Sequence, residues 1–111
     1  MRLDENFLDF VPVRKVEWDR DEAGKVFLKK EKTGSRFMKK VIDLFHMNPF
    51  IYIHLDRLGT SAWLLSDGSR DIRRISEKMK VEFGEDLPQL DERLGFFFSL
   101  MKKNDFIELT Q

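Results

Sequence analysis

The chain lacks cysteine altogether, and its 111 residues include only three prolines and six glycines. Without cysteine there is no disulfide, zinc–thiolate site or thiolate nucleophile, and the composition suits a reducing compartment, so we expect a cytoplasmic location. No apolar run approaches the length of a membrane span, and the acidic start lacks the basic and apolar regions of a secretory signal. We therefore expect neither membrane insertion nor export.

Neither sign of charge is in excess, because 20 Lys and Arg residues balance 20 Asp and Glu residues. A net positive field that would hold a phosphate backbone is missing, so nucleic-acid binding would depend on local clusters. Two candidate clusters are Lys29-Lys30-Glu31-Lys32 and the segment from Arg36 to Lys40, and a charge run of that size is usually a solvated face. A predicted helix over 71–83 offers a locally basic surface with Arg70, Arg73, Arg74, Lys78 and Lys80. This basic helix keeps a winged-helix nucleic-acid binder open as an alternative function.

Residue patterns that support catalysis, a cofactor or a metal are also missing. His46 and His54 are the only histidines, and neither stands at metal-ligand spacing from another ligand on one element. The glycines form no phosphate-binding loop, and no serine lies in a glycine-flanked nucleophile elbow. We expect no enzyme, no catalytic residue, no cofactor and no metal site.

The apolar content, with 11 Phe and 2 Trp, suits one core in a chain of this length. We predict a single domain over 1–111, with residues 1–11 as a flexible head. The predicted strands cover 12–18, 25–31 and 50–55, with turn residues at 21–24. The predicted helices cover 36–45, 57–66, 71–83 and 88–103.

This order of elements predicts an α+β, winged-helix-like fold. About three antiparallel strands at the N-terminal end precede a three-helix bundle, and the helix over 36–45 is inserted before the third strand. The apolar tail from Phe106 is expected to run back along the core.

Several residues predict where the last two helices begin and end. Asp71 and Asp86 are expected at N-caps, and Pro88 is expected to open the last helix. Gly84 and Asn104 are expected to end the two helices.

The third strand and the last helix carry more apolar surface than a one-sided core requires. The strand over 50–55 is apolar on both faces. On the helix, a core stripe is formed by Leu90, Leu94, Phe97, Phe98 and Met101. Phe96 and Leu100 lie on a flank beyond Arg93, so that the apolar arc spans roughly 200°.

Together these surfaces predict a groove in which an added peptide pairs with the strand through backbone hydrogen bonds. The alternative is that the inserted helix over 36–45 covers the same surface internally. Docking on a larger protein, or self-association into homodimers through an exposed strand, is a further hypothesis.

Part of the sequence resembles the PqqD family. The resemblance is carried by Leu55-Asp56-Arg57-Leu58-Gly59, Trp63-Leu64-Leu65-Ser66-Asp67-Gly68, Ile72, Ile75, Phe83-Gly84, Phe98, Leu100 and Ile107. It implies a small, non-catalytic peptide chaperone, which binds the leader of a ribosomally made precursor peptide and presents it to a modifying enzyme, often a radical enzyme.

The resemblance also implies where the leader would bind. It would lie as an extra strand against the third strand, beside the last helix. The residues implied at this site are Phe50, Tyr52, His54, Arg93, Phe96, Phe97 and Leu100. The insertion over 33–48 departs from the shortest members of the family.

Overall fold

The structure is a computed structural model that describes residues 5–31, 36–46, 48, 50–86 and 88–111. Over these ranges the helices are α1 (Glu5–Leu8), α2 (Arg36–Leu44), α3 (Arg57–Leu64), α4 (Ile72–Phe83) and α5 (Leu90–Lys103). The strands are β1 (Val11–Arg14), β2 (Glu17–Arg20), β3 (Val26–Glu31), β4 (Phe50–His54) and β5 (Ile107–Thr110). A 3-10 turn over Gly84–Asp86 follows α4.

The predicted fold class is confirmed. The chain is α+β, with antiparallel strands toward the N-terminal end and α3, α4 and α5 after them. The helix predicted before the third strand is present as α2, and it precedes β4. Within the described ranges, every helix is too short or too polar to span a lipid bilayer.

The described residues form two compact units. The first, called the strand unit, is the continuous segment Val16–Asp56, with the sheet order β2-β3-β4. The second, called the helical unit, comprises residues 5–15 and 57–111 and holds α1, α3, α4, α5 and the two-stranded ribbon of β1 and β5. Of the head predicted over 1–11, residues 5–8 form α1 and Val11 begins β1, while residues 1–4 lie outside the described part.

The hairpin turn of the strand unit forms as its sequence predicts. The Asp21 carboxylate accepts hydrogen bonds from the backbone N–H groups of Ala23 at 2.9 Å and Lys25 at 3.0 Å. Gly24 adopts a φ of 84°, a left-handed conformation that glycine takes without a steric penalty. The turn joins β2 to β3 with Arg20 opposite Val26.

The prediction of one strand over 12–18 is wrong, because the chain changes partner within it. β1 ends at Arg14 and pairs with β5, whereas β2 begins at Glu17 and pairs with β3. Between them, the Lys15 N–H donates to the Phe106 carbonyl at 2.9 Å, which extends the pairing of β1 with the C-terminal segment. Alternating apolar residues indicate extended backbone but do not specify the strand with which it pairs.

The ends of α4 and α5 follow local sequence chemistry at three of the predicted positions. The Asp71 carboxylate caps α4 by accepting the Arg74 N–H at 2.9 Å, and Gly84 ends this helix with a φ of 58°. The Asn104 N–H donates to the Leu100 carbonyl at the end of α5. Asp86 does not cap α5, and Pro88 does not open it, because Pro88 lies in a turn and the helix begins at Leu90 after Gln89.

The core of the helical unit is apolar and includes both tail and helix residues. The predicted tail forms β5, which pairs antiparallel with β1 so that Val11 lies opposite Thr110. Side chains at most 1% exposed in this unit include Trp63, Ile72, Ile75, Met79, Leu94, Phe98 and Ile107. Each such side chain contributes about 1.5–3 kcal/mol relative to an exposed one, so these residues dominate the stability of the unit.

A polar network ties α4 to α5 at the edge of this core. The Ser76 hydroxyl donates to the Asp91 carboxylate, and the Lys80 ammonium donates to the same carboxylate at 3.1 Å. Partial burial raises the pKa of Asp91, but the hydrogen bonds from Ser76 and Lys80 lower it more. The pKa of Asp91 in the folded chain therefore lies below its ordinary value of 3.8.

The Asp91→Asn variant tests this network. Because the folded pKa of Asp91 is lowered, the carboxylate stabilises the fold above the unfolded pKa, and the contribution is lost as the pH falls through the folded pKa. We expect Asp91→Asn to lower the free energy of unfolding by about 1 kcal/mol at neutral pH, a modest value because the pair is partly solvated. Urea denaturation should show this difference shrinking toward about pH 3. Glu92→Gln is the matched control, and an unchanged Asp91→Asn deficit at both pH values contradicts the assignment.

Candidate functional site

The three predicted site residues on β4 lie on one face of the sheet. Phe50, Tyr52 and His54 stand opposite Glu31, Lys29 and Phe27 of β3, respectively. Side chains alternate between the two faces of a strand, so these six residues share a face. The opposite face carries Val26 and Leu28, which are fully buried, and Leu55, which is nearly so. The predicted site residues therefore occupy the outer face of the strand unit.

The hydrogen-bond pattern of the β3–β4 ladder fixes which backbone groups of β4 face outward. The Leu55 N–H donates to the Val26 carbonyl at 2.9 Å. In an antiparallel pair, residues bonded to the neighbour alternate with residues whose N–H and C=O groups point away from it. Ile53 therefore bonds toward β3, and the backbone groups of Tyr52 and His54 point to the other side.

That side of β4 is an open sheet edge among the described residues, where β4 pairs with β3 alone. The outward N–H of Phe50 is satisfied locally, because it donates to the Asn48 side-chain oxygen at 3.0 Å. No described residue bonds to the outward backbone groups of Tyr52 and His54. Tyr52 is 45% exposed, so the outer face of the sheet beside this edge reaches solvent.

The two edges of the three-stranded sheet differ in chemistry. β2 has the sequence Glu-Trp-Asp-Arg, and charged side chains discourage pairing at an edge. β4 has the sequence Phe-Ile-Tyr-Ile-His, which carries neither Asp, Glu, Lys nor Arg. β4 is therefore the edge that is suited to accept another strand.

Aromatic rings cover the outer face beside this edge. The Phe27 ring contacts Tyr52 edge-on, with centroids 6.0 Å apart, and its centroid lies 5.6 Å from the His54 ring. The Lys29 ammonium lies 4.2 Å from the centroid of the Phe50 ring. These contacts hold the three β4 side chains in place and leave an amphipathic surface in water.

The other four predicted residues lie together on α5 of the helical unit. Arg93 is exposed, Phe96 is 58% exposed and Leu100 is 39% exposed. These positions follow at i, i+3 and i+7, which places them along one side of the helix. Phe97 is half-buried and packs edge-on against Phe98 at 5.3 Å, so it belongs partly to the core. The predicted flank of α5 is thus an exposed apolar patch with one cation.

The predicted residues therefore form two surfaces, one in each unit. Phe50, Tyr52 and His54 form the first, which we call the β4 surface. Arg93, Phe96 and Leu100, with the half-buried Phe97, form the second, which we call the α5 patch. A single groove made of both surfaces stays a prediction.

Sequence reasoning missed the β2 and β3 residues on the outer face, chiefly Phe27, Lys29 and Asp19. The alternation over 25–31 placed Val26 and Leu28 on one face, which indicated that Phe27 and Lys29 lie on the other. Their contact with Tyr52 and His54 depends on the β3–β4 register. No local signal gives this register, because the inserted segment with α2 separates the two strands.

The basic cluster around α4 is largely engaged with acidic groups and carbonyls of its own unit. Arg73 pairs with Asp9 at 3.3 Å and Lys80 with Asp91 at 3.1 Å, while Arg70 donates to the Leu65 carbonyl at 3.0 Å. Three of the five cations that favoured the nucleic-acid alternative are therefore partly neutralised or held close to the fold. Within the described ranges, no three His, Cys, Asp or Glu residues cluster as metal ligands do.

The exposure of the α5 patch is tested by comparing two neighbouring phenylalanines. Phe98 is fully buried, so Phe98→Ala should lower the free energy of unfolding by about 3–5 kcal/mol through lost burial and a cavity. Phe96→Ala should change it by no more than about 0.5 kcal/mol, because most of its ring is already in water. Urea denaturation of both variants measures the difference, and equal losses would contradict the assigned exposure of Phe96.

Comparison with protein-family models, curated proteins and solved structures finds no match to this chain.

Proposed function

We propose that the chain is a non-catalytic peptide-binding module. It takes the leader of a ribosomally made precursor peptide as an added strand on β4 and presents that peptide to a modifying enzyme, such as a radical enzyme. The observation that carries the proposal is the exposed, uncharged edge of β4, where the backbone groups of Tyr52 and His54 face outward. The identity of the ligand as a leader rests on the resemblance to the PqqD family.

Strand addition suits this edge energetically. An incoming extended peptide would pair with backbone groups that water now solvates, and each hydrogen bond contributes about 0.5–1.5 kcal/mol net. Side chains on one face of the added strand would lie beside Tyr52, whose ring supplies apolar contact area and packs against Phe27 of β3. Backbone pairing thus supplies affinity, while the aromatic face selects side chains.

The same proposal assigns leader side chains to the α5 patch. Phe96 and Leu100 offer apolar contact, and Arg93 with the exposed Lys103 near the end of the helix offers positive charge for acidic leader residues. Exposed aromatic and Arg side chains are the types that most often dominate binding energy at interfaces. Phe96→Asp and Leu100→Asp test the patch separately from the strand edge.

The strand edge is tested with two substitutions at His54. Proline lacks the N–H that faces away from β3, so His54→Pro removes an outward donor while the β3–β4 ladder remains. His54→Ala is the matched control, because it also removes the imidazole but keeps the N–H. The ligands are leader peptides synthesised from short reading frames beside the gene, titrated calorimetrically into the full chain. We expect His54→Pro to weaken binding about five- to tenfold relative to His54→Ala.

The outcomes separate the alternatives. Circular dichroism first establishes that His54→Pro remains folded. Equal binding by the two His54 variants, or no binding of any leader to the native chain, overturns the proposal. Light scattering on the same samples reports self-association, and a homodimer that His54→Pro abolishes would assign the β4 edge to a second copy instead.

A further inference from the structure

The outer face of the strand unit contains a shallow pocket for which the proposed strand pairing specifies no ligand group. Its volume is about 400 Å³, and it is lined by Glu17, Trp18, Asp19, Phe27, Lys29 and Tyr52. These residues come from all three strands of the sheet. Two cross-strand rows supply most of the lining: Glu17, Lys29 and Tyr52 in one, and Asp19 with Phe27 in the other.

The walls of this pocket combine aromatic rings with carboxylates. Phe27 and Tyr52 meet at an interplanar angle of 70°, so the edge of one ring packs against the other ring. The face of an aromatic ring carries partial negative charge and attracts cations. With Glu17, Asp19 and one lysine in the lining, the carboxylates exceed the cations by one. The pocket therefore favours a positively charged ligand group over a neutral or negative one.

Lys29, the lysine that lines the pocket, places its ammonium over a ring outside the pocket lining. The Lys29 ammonium lies over Phe50 at 4.2 Å, and its 3.8 Å contact with the well-exposed Glu17 carboxylate is a weak ion pair. This cation shows that the outer face accommodates a charge against a ring. Among the described residues, no cation lies over Phe27 or Tyr52, and Asp19 has no ion-pair partner.

We propose that this pocket binds an arginine side chain of the peptide that occupies the β4 edge. The planar guanidinium stacks on aromatic faces and pairs with carboxylates, so it matches Phe27, Tyr52 and Asp19 better than the compact lysine ammonium does. Tyr52 belongs to the edge strand β4 and also lines the pocket, so the pocket borders the strand beside which the peptide would lie. The inference rests on the proposed function for the source of the arginine, whereas the chemistry of the pocket is testable without a leader.

The test uses a single residue in place of a peptide. N-acetyl-arginine amide is titrated into the full, ¹⁵N-labelled chain, and the amide resonances of residues 17–29 and 50–54 are followed by NMR. N-acetyl-citrulline amide is the probe control, because it keeps the shape of arginine and lacks its charge. We expect the arginine probe to bind at least about fivefold more tightly than the citrulline probe.

Asp19→Asn tests the carboxylate, and Asp43→Asn is its matched control on the exposed surface of α2 in the same unit. We expect Asp19→Asn to remove most of the preference for arginine and Asp43→Asn to leave it unchanged. Equal shifts with both probes, or an unchanged preference in Asp19→Asn, overturn the pocket assignment.

The two proposals are tested by separate experiments, so either can be overturned while the other stands. If the His54 variants confirm strand pairing and the arginine probe does not bind, the pocket proposal fails and peptide binding stands. If the probe binds and no leader pairs with β4, the pocket stands as an arginine site and the proposed function fails.

Discussion

The register of the β3–β4 ladder, and with it the choice of which residues form hydrogen-bonded pairs, is the constraint on which the candidate site depends. The hydrogen bond from the Leu55 N–H to the Val26 carbonyl identifies these two residues as a hydrogen-bonded pair and so fixes the pattern along the ladder. With it fixed, the backbone of Ile53 bonds to β3, the backbone groups of Tyr52 and His54 point away from β3, and the side chains of Tyr52 and His54 share a face with Phe27. A shift of the pairing by one residue would exchange the two faces and move the aromatic surface onto the buried side.

Burial of Val26 and Leu28 stabilises this register. Both side chains are fully buried, and a register shifted by one residue would place Phe27 and the charged Lys29 in the buried positions of Val26 and Leu28. Burying an unpaired lysine is costly, so the alternation of Val26, Phe27, Leu28 and Lys29 opposes a slip by one residue. The surface that we assign to ligand binding is therefore a direct result of how the sheet buries its other face.

Much of the fold could be predicted from local chemistry. Asp71, Gly84 and Asn104 act within a few residues of themselves, so their positions in the sequence indicate the helix ends they form. The exposed flank at Phe96 and Leu100 was predictable for the same reason, because helical periodicity alone sets it. Phe50, Tyr52 and His54 were predictable as residues on one face, since strand alternation needs no knowledge of the partner.

What could not be predicted depends on contacts between distant residues. The break between β1 and β2 arises because β1 pairs with β5, a strand that lies far from it along the sequence. The pocket around Phe27 and Asp19 requires the register of three strands, two of which are separated by α2. Hydropathy patterns indicate which face of a strand is buried but do not by themselves determine the register between separated strands, so these features appear only in the structure.

The ribbon of β1 and β5 has a consequence for how the chain folds during synthesis. Val11 and Thr110 are bonded across a sequence separation of 99 residues, and the strand unit is encoded as one continuous segment between them. The β2–β3 hairpin can form as soon as it leaves the ribosome, because its contacts are local. β1 cannot pair with β5 until residues 107–110 have been made, so the helical unit can close only after the whole strand unit has been synthesised.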